Sequence, residues 1–520
     1  MARGSSQLTR AAGVLLPVFS LPGKYGIGAF SDEAYRFVEF LRDAGQSYWQ
    51  ILPLGPTSYG DSPYQSFSTY AGNPYYIDID MLVRVGLLTK EEAAEHVARD
   101  QDAAIDYEKI YRTRYVLLRK AYERFFSRED TTSEIIRMRG DYAVFAVENA
   151  FWLDDFALFI ALKVENGGKS FLEWEKPLRL REETALEKAR KRLGAEIGFH
   201  SFLQYLFAAQ YAELKTCANR AGIRIIGDIP IYVAQDSSDV WAHPELFQLD
   251  DDCVPIAVAG CPPDAFSATG QLWGNPLYRW DLHAETGFAW WMERLKHAFS
   301  LCDVLRIDHF RGFESYYSIP YGHETAEFGH WEKGPGISFF QTLNRKLGEV
   351  PVIAEDLGFL TPEVLKLVAD TGYPGMKVLQ FAFDSREDSD YLPHNYPKNC
   401  VVYTGTHDND TTDSWFEEIP ETDRAFACGY LGIPELPAED AATSLIRAAL
   451  MSVADTAIIP MQDWLGLGHE ARINHPSTLG GNWQWRMRSE ALTEDLAARI
   501  RRMTGLYGRL PKPVSEVTFG

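Results

Sequence analysis

Six polar residues each follow an apolar run, where a solvated charge is out of place: Asp228, Arg306, Asp308, Glu355, His407 and Asp408. In Val304-Leu305-Arg306-Ile307-Asp308 the guanidinium and the carboxyl are two positions apart, so on a strand they share one face. An arginine beside it favours the ionised carboxylate. An ionised, oriented aspartate is what attack on an acetal carbon requires. From this stretch alone, a structural ion pair at a strand end reads equally well. If all six residues meet at one mouth, four carboxylates crowd together and at least one must hold its proton above the usual range. A protonated acid beside an ionised one is the arrangement that glycosidic-bond chemistry uses. Such a cluster could alternatively bind Mg²⁺ or Ca²⁺. Arg306 and His407 in the same ring disfavour a cation, so no metal is expected.

The elements that must position these groups are short apolar runs of strand length. Eight are visible, at 13–19, 48–54, 223–233, 304–313, 351–358, 376–383, 400–408 and 456–462. Helical patterns lie between several of them. Ser31 can cap a helix from Asp32 to about Ala44, with Gly45 as its stop, and Thr361-Pro362-Glu363 starts another. Strands alternating with helices imply a parallel sheet, and eight strands suggest an α/β (β/α)8 TIM barrel whose active residues sit at the C-terminal strand ends. An open doubly wound sheet is the alternative. No G-x-G-x-x-G follows the first strand, so no dinucleotide site and no cofactor are expected. The spacing predicts a barrel from 1–80 and 223–520, with a mostly helical insertion over 81–222 forming one wall of a cleft. A second, loop-rich insertion over 234–299 follows the third strand. Its glycine-rich loop 260–276 is the candidate lid, with Gly270 and Gly274 as hinges.

Composition narrows the partners. A net charge of −22 argues against a nucleic-acid or anionic-membrane surface. It fits an enzyme with a neutral substrate. The 13 Trp and 26 Tyr could stack on sugar rings, although core packing is their ordinary use. No apolar run reaches membrane-spanning length. The apolar residues after Arg10 read as a first strand rather than a signal peptide, for lack of a clean cleavage site. The six cysteines show no metal spacing and fit free thiols in a reducing compartment, so a cytoplasmic location is expected. The sequence leaves the oligomeric state open.

Longer motifs carry a resemblance. Arg306-Ile307-Asp308-His309-Phe310, Ala354-Glu355-Asp356-Leu357-Gly358 and Thr406-His407-Asp408-Asn409-Asp410 fall in the order of the α-amylase-like retaining enzymes. Ser62-Pro63-Tyr64-Gln65, Gly227-Asp228-Ile229-Pro230-Ile231-Tyr232-Val233 and Gly270-Gln271-Leu272-Trp273-Gly274-Asn275-Pro276 resemble the amylomaltase (4-α-glucanotransferase) branch. So do Arg472-Ile473-Asn474-His475-Pro476 and Asn482-Trp483. The resemblance spans residues 13–507. It implies transfer of α-1,4-glucan segments between maltodextrins. Asp308 would be the nucleophile, Glu355 the general acid/base and Asp408 the third carboxylate. It implies sugar-binding roles for Tyr64, Asp228, Gln271, Trp273, Asn275, Arg306, His407 and Asn474, with α-1,4-glucans and malto-oligosaccharides as donor and acceptor. His309, one residue past Asp308, is expected to point off the catalytic face unless the strand has already ended. The competing expectations are a glucan hydrolase, a catalytically silent glucan-binding scaffold and, more remotely, a metal-dependent barrel lyase or isomerase.

Overall fold

The computed structural model describes residues 8–58, 60–99, 104–127, 132–263, 267–358, 360–433, 437, 440–478 and 480–512. Among these, twelve strands form two sheets. Eight of them are parallel: β1 (Ala11–Leu15), β2 (Tyr48–Gln50), β3 (Arg224–Pro230), β6 (Val304–Asp308), β9 (Val352–Ala354), β10 (Gly375–Val378), β11 (Cys400–Tyr403) and β12 (Thr456–Pro460). Their order, β10-β11-β12-β1-β2-β3-β6-β9, leaves a single seam. The N–H of Ala354 closes it by donating to the Pro374 carbonyl at 3.0 Å. The expected eight-stranded barrel is therefore the observed fold, each strand overlapping its expected run, although the first begins two residues early and ends at Leu15.

Strand alternation divides the apolar residues between two cores. Leu15, Tyr48, Ile226, Val304, Ile353, Met376, Val401, Tyr403 and Ile458 pack inside the barrel. Leu305, Ile307, Ile225, Val352 and Ala354 face the surrounding helices. Arg306 and Asp308 share the inward face of Val304, and Glu355 continues that of Ile353. Gly13 marks how tightly the strands approach: a Cβ there would lie 2.5 Å from Tyr48 Cβ.

The observed strands are shorter than the apolar runs. The run 400–408 leaves the ladder at Tyr403, and its last residues form the loop that carries His407 and Asp408. The first helix, Asp32–Asp43, ends as expected, with Gly45 at φ +68°. Ser31 occupies the N-cap, but its side chain caps nothing; only its carbonyl accepts, from Ala34 N–H at 2.8 Å. Thr361 does cap the helix Pro362–Thr371. Between β2 and β3 run seven α-helices of five or more residues among the described residues, from Ile79–Arg84 to Gly194–Arg220. The last of these packs against both the first helix and β3.

One expectation is corrected. The glycine-rich stretch 260–276 is not a loop throughout, because both its ends lie in paired strands. β4 (Ala257–Cys261) and β5 (Gln271–Pro276) pair antiparallel, and β7 (Ser315–Pro320) and β8 (His330–Lys333) extend the sheet in the order β5-β4-β7-β8. Glycine makes the pairing possible, since a Cβ on Gly260 would come within 2.2 Å of the Gln271 carbonyl. Residues 264–266 of the candidate lid lie outside the described residues. The two hairpins arise in the connections after β3 and β6, at the end of the barrel where Asp228 and Asp308 emerge.

Candidate active site

The register of three neighbouring strands assembles the centre. Asp228 on β3 pairs with Arg306 on β6, and Pro230 with Asp308. Ile307 pairs with Ala354 on β9, which puts Glu355 one step beyond the ladder, next to Asp308. Arg306 is almost wholly buried and bridges the cluster. Its Nη1 is 2.6 Å from Asp228 Oδ2 and its Nη2 is 2.9 Å from Asp308 Oδ1. Burial works against the guanidinium, but Asp228 and Asp308 more than offset it and hold it charged. The side chain of Asp228 is fully enclosed. Its Oδ2 also accepts the Tyr64 hydroxyl at 2.8 Å.

Glu355 is held by main chain. Its Oε2 accepts the N–H of His309 at 2.7 Å and its Oε1 accepts the N–H of Leu357 at 2.9 Å. The strand does end at Asp308, and His309 turns into the left-handed region at φ +52°. That turn aims its amide at Glu355. His309, set aside on alternation, thus enters the site through its backbone. Its buried ring, kept neutral by a pKa lowered to about 3, meets Trp273 edge-on at 4.7 Å. Burial raises the pKa values of both Asp308 and Glu355, with Arg306 opposing it; the neighbouring carboxylates, Glu355 among them, push Asp308 further up, while the His309 and Leu357 amides pull Glu355 down. Two buried carboxyls this close titrate as a pair rather than one by one.

Asp408 lies across the mouth with its side chain nearly half exposed. Asn474 Nδ2 donates to its Oδ1 at 2.7 Å, and His407 Nε2 is 3.3 Å from its Oδ2. Burial lowers the His407 pKa, with the Asp408 carboxylate opposing, so the ring is neutral. Tyr64 stacks on His407 at 5.1 Å and 18° between planes. Trp483 closes this aromatic wall, 6.1 Å from Tyr64 and 6.0 Å from His407. Burial and Asp228 raise the Tyr64 pKa well above the ordinary phenol value, so its hydroxyl remains a donor.

The hairpin brings in the remaining expected residues. Trp273 Nε1 donates to Gln271 Oε1 at 3.1 Å. Asn275 is buried; it donates to the Val233 carbonyl at 2.8 Å and accepts from Gln65 Nε2 at 3.1 Å. It braces the hairpin to the loops of Asp228 and Tyr64. The structure therefore gathers Tyr64, Asp228, Arg306, Asp308, Glu355, His407, Asp408 and Asn474 in one linked cluster. Gln271 and Trp273 stand at its edge, and Asn275 stands behind them. The amides of His309 and Leu357, and the Trp483 ring, escaped the sequence reading. All three residues lie inside quoted motifs, but motif membership alone assigns no role to a main-chain amide or to a ring. Elsewhere among the described residues, Asp410, Glu418 and His469 come within metal-chelating distance of one another. Asp410 already accepts Thr411 N–H at 2.7 Å and sits 2.5 Å from His469 Nδ1.

Known proteins resemble this chain over nearly its whole length. A family profile described as 4-alpha-glucanotransferase matches residues 16–493. The 4-alpha-glucanotransferase of Clostridium butyricum is 50% identical over 494 residues, 95% of this chain and 99% of that one. That of Thermus thermophilus is 48% identical over 509 residues, 97% of this chain and 100% of that one. The structure of the amylomaltase from Streptococcus agalactiae in complex with acarbose superposes with a TM-score of 0.92 at 44% identity, covering 96% of this chain and all of that one.

Proposed function

The chain belongs to the 4-α-glucanotransferase family, and from that premise we propose the roles by which its mouth residues move α-1,4-glucan segments between maltodextrins. The reaction is a retaining double displacement. In the first step an Asp308 oxygen attacks the anomeric carbon while Glu355 gives its proton to the glycosidic oxygen. The leaving chain departs with a free hydroxyl. In the second step the hydroxyl of an acceptor glucan returns a proton to Glu355, attacks the same carbon and displaces Asp308. One α-1,4 bond breaks, one forms, and two inversions restore the α configuration. The two carboxyls must stand about 5 Å apart for this.

The observation that carries the reading is the linked pair: Arg306 on Asp308, and the amide of the very next residue on Glu355. Arg306 favours the ionised nucleophile. The crowded, buried surroundings favour a protonated Glu355. Asp408, gripped by Asn474 and flanked by His407, binds hydroxyls of the reacting sugar. Tyr64 offers that sugar a stacking face. Asp228 acts through Arg306 and Tyr64, because its own side chain is enclosed. Gln271 and Trp273 line the acceptor side, and Asn275 holds their hairpin in place.

Transfer wins over hydrolysis when water is kept out or the acceptor binds well enough to outcompete it. The β4–β5 hairpin serves as the cover, with the positive-φ Gly270 and Gly274 as its hinges. The helices within 81–222 form one wall of the cleft. Their attachment supports this: Tyr70, in the loop that carries Tyr64, stacks on Trp152 at 6.0 Å, and Lys163 pairs with Asp236. No described helix is long and apolar enough to cross a membrane. Six free cysteines support a reducing, cytoplasmic setting.

Incubation with maltotriose tests the function. The expected products are glucose together with a ladder of longer maltodextrins. Shortening of every chain, with none lengthened, would contradict it.

A further inference from the structure

Asp408 sits on a segment that belongs to no strand or helix. β11 ended at Tyr403, and residues 404–411 form an irregular turn. In that turn Asn409 Oδ1 accepts the N–H and the hydroxyl of Thr406, each at 2.9 Å. Asn474, which grips the Asp408 carboxylate, lies on a second irregular segment after the short helix His469–Ala471. A carboxylate aimed by two irregular segments takes its direction from the contacts that join them.

Arg472 makes that fastening. Its Nη2 donates to the main-chain oxygen of Asp408 at 3.3 Å and its Nε to the main-chain oxygen of Asn474 at 2.9 Å. Its Nη1 lies 3.4 Å from Asp410 Oδ2. One planar guanidinium thus spans three acceptors: the carbonyl of Asp408, the carbonyl of the residue that grips Asp408, and an anchoring carboxylate. Asp410 is itself buried and fixed by Thr411 N–H and His469. Gln380 Nε2 pins its carbonyl at 2.9 Å. From these contacts we propose that Arg472, anchored by Asp410, is a positioning residue that aims the Asp408 carboxylate at the donor sugar. The inference rests on the reading of Asp408 as the third carboxylate. Arg472 touches no reacting atom; it works by closing a ring of hydrogen bonds through Asp408 and Asn474. A lysine cannot replace it, since a single ammonium does not present donors in a flat fork.

The test uses the full-length enzyme and maltotriose, with Arg472→Gln, Arg472→Lys, Asp408→Asn and the double variant Asp408→Asn/Arg472→Gln. A misaimed group costs on the order of 10- to 100-fold. That loss is expected in kcat for Arg472→Gln and for Arg472→Lys, with KM and Tm close to the parent values. The double variant is expected to be no slower than Asp408→Asn alone, because Arg472 acts only through Asp408. Losses that multiply in the double variant, or full activity in Arg472→Lys, would overturn the proposal. If Arg472→Gln folds poorly, Asp410→Asn in the same cycle carries the test and is expected to show the same non-additivity. Parent-level kcat in Asp408→Asn alone would instead strike the underlying reading of Asp408.

Discussion

At the scale of single residues, the chemistry depends on how two carboxyls share one proton. Asp308 takes an Arg306 contact at 2.9 Å, Glu355 takes two amide N–H groups, and burial raises both pKa values. The proposed mechanism needs Asp308 ionised and Glu355 protonated. Activity is therefore lost on the acid side when the pair gains its second proton, and on the alkaline side when it gives up its last one. The alkaline limb is expected above the ordinary glutamate value of 4.5, since burial pushes Glu355 upward. In Glu355→Gln, kcat/KM on maltotriose is expected to fall roughly 10²- to 10⁴-fold, and the alkaline limb should vanish from the residual rate. A pH–rate profile checks this; an unchanged alkaline limb in the variant would mean that another group supplies the proton. Every carboxylate of this centre was legible in the sequence, because each interrupts an apolar run. The donors that hold Glu355 were not. An amide N–H belongs to every residue but proline, and only the left-handed turn at His309 decides where this one points. Arg472 stood inside a quoted motif, but its role was not legible for a related reason: two of its three acceptors are main-chain carbonyls.

At the scale of elements, the loops gain their shape from buried polar anchors. Asp239 opens the short helix Ser238–Ala242 and accepts Thr69 N–H at 2.8 Å, tying the loop after β3 to the loop that carries Tyr64. Burial pushes its pKa from 3.8 up to about 6. The folded chain then binds this proton more tightly than the unfolded chain does. Stability from this group is complete below about pH 4, falls as pH rises toward 6, and above that carries the full penalty, about 3 kcal/mol. Asp239→Asn keeps an acceptor oxygen for Thr69. Its stability relative to the parent is expected to improve progressively from pH 4 to pH 6 and then level off, as read by Tm across that range. A difference that does not change with pH would refute the assignment. The barrel strands were legible because buried parallel strands read as continuous apolar runs. The small antiparallel sheet was not. β5 is mostly half-buried and contains Gly274 and Pro276, and β8 is mostly exposed, so neither offers a hydrophobic alternation.

At the scale of the whole molecule, the fold brings distant segments to one end of a barrel. Asp228, Asp308 and Glu355 emerge from three adjacent strands, and the segment carrying Asn474 and Trp483 folds back across the mouth from near the C-terminus. The opposite end is secured by the buried Arg509. Its guanidinium donates to the carbonyls of Leu450, Ala11, Asp455, Ser452 and Ala454, fastening the segment after the last helix to the first strand. Alternating strands and helices made the barrel readable, and the long gap between β2 and β3 announced extra helices. How those helices meet the cleft depends on contacts such as Tyr70 on Trp152, which no spacing encodes. The central claim is that Asp308 becomes covalently glycosylated while Glu355 handles the proton. It is tested most directly by mass spectrometry of Glu355→Gln after exposure to an α-maltosyl fluoride, whose leaving group needs no acid. A maltosyl unit should accumulate on the peptide containing Asp308, on that carboxylate, and be absent when Asp308→Ala is added. Glycosylation at another carboxylate, or turnover with no adduct and inversion of the anomeric centre, would contradict the account.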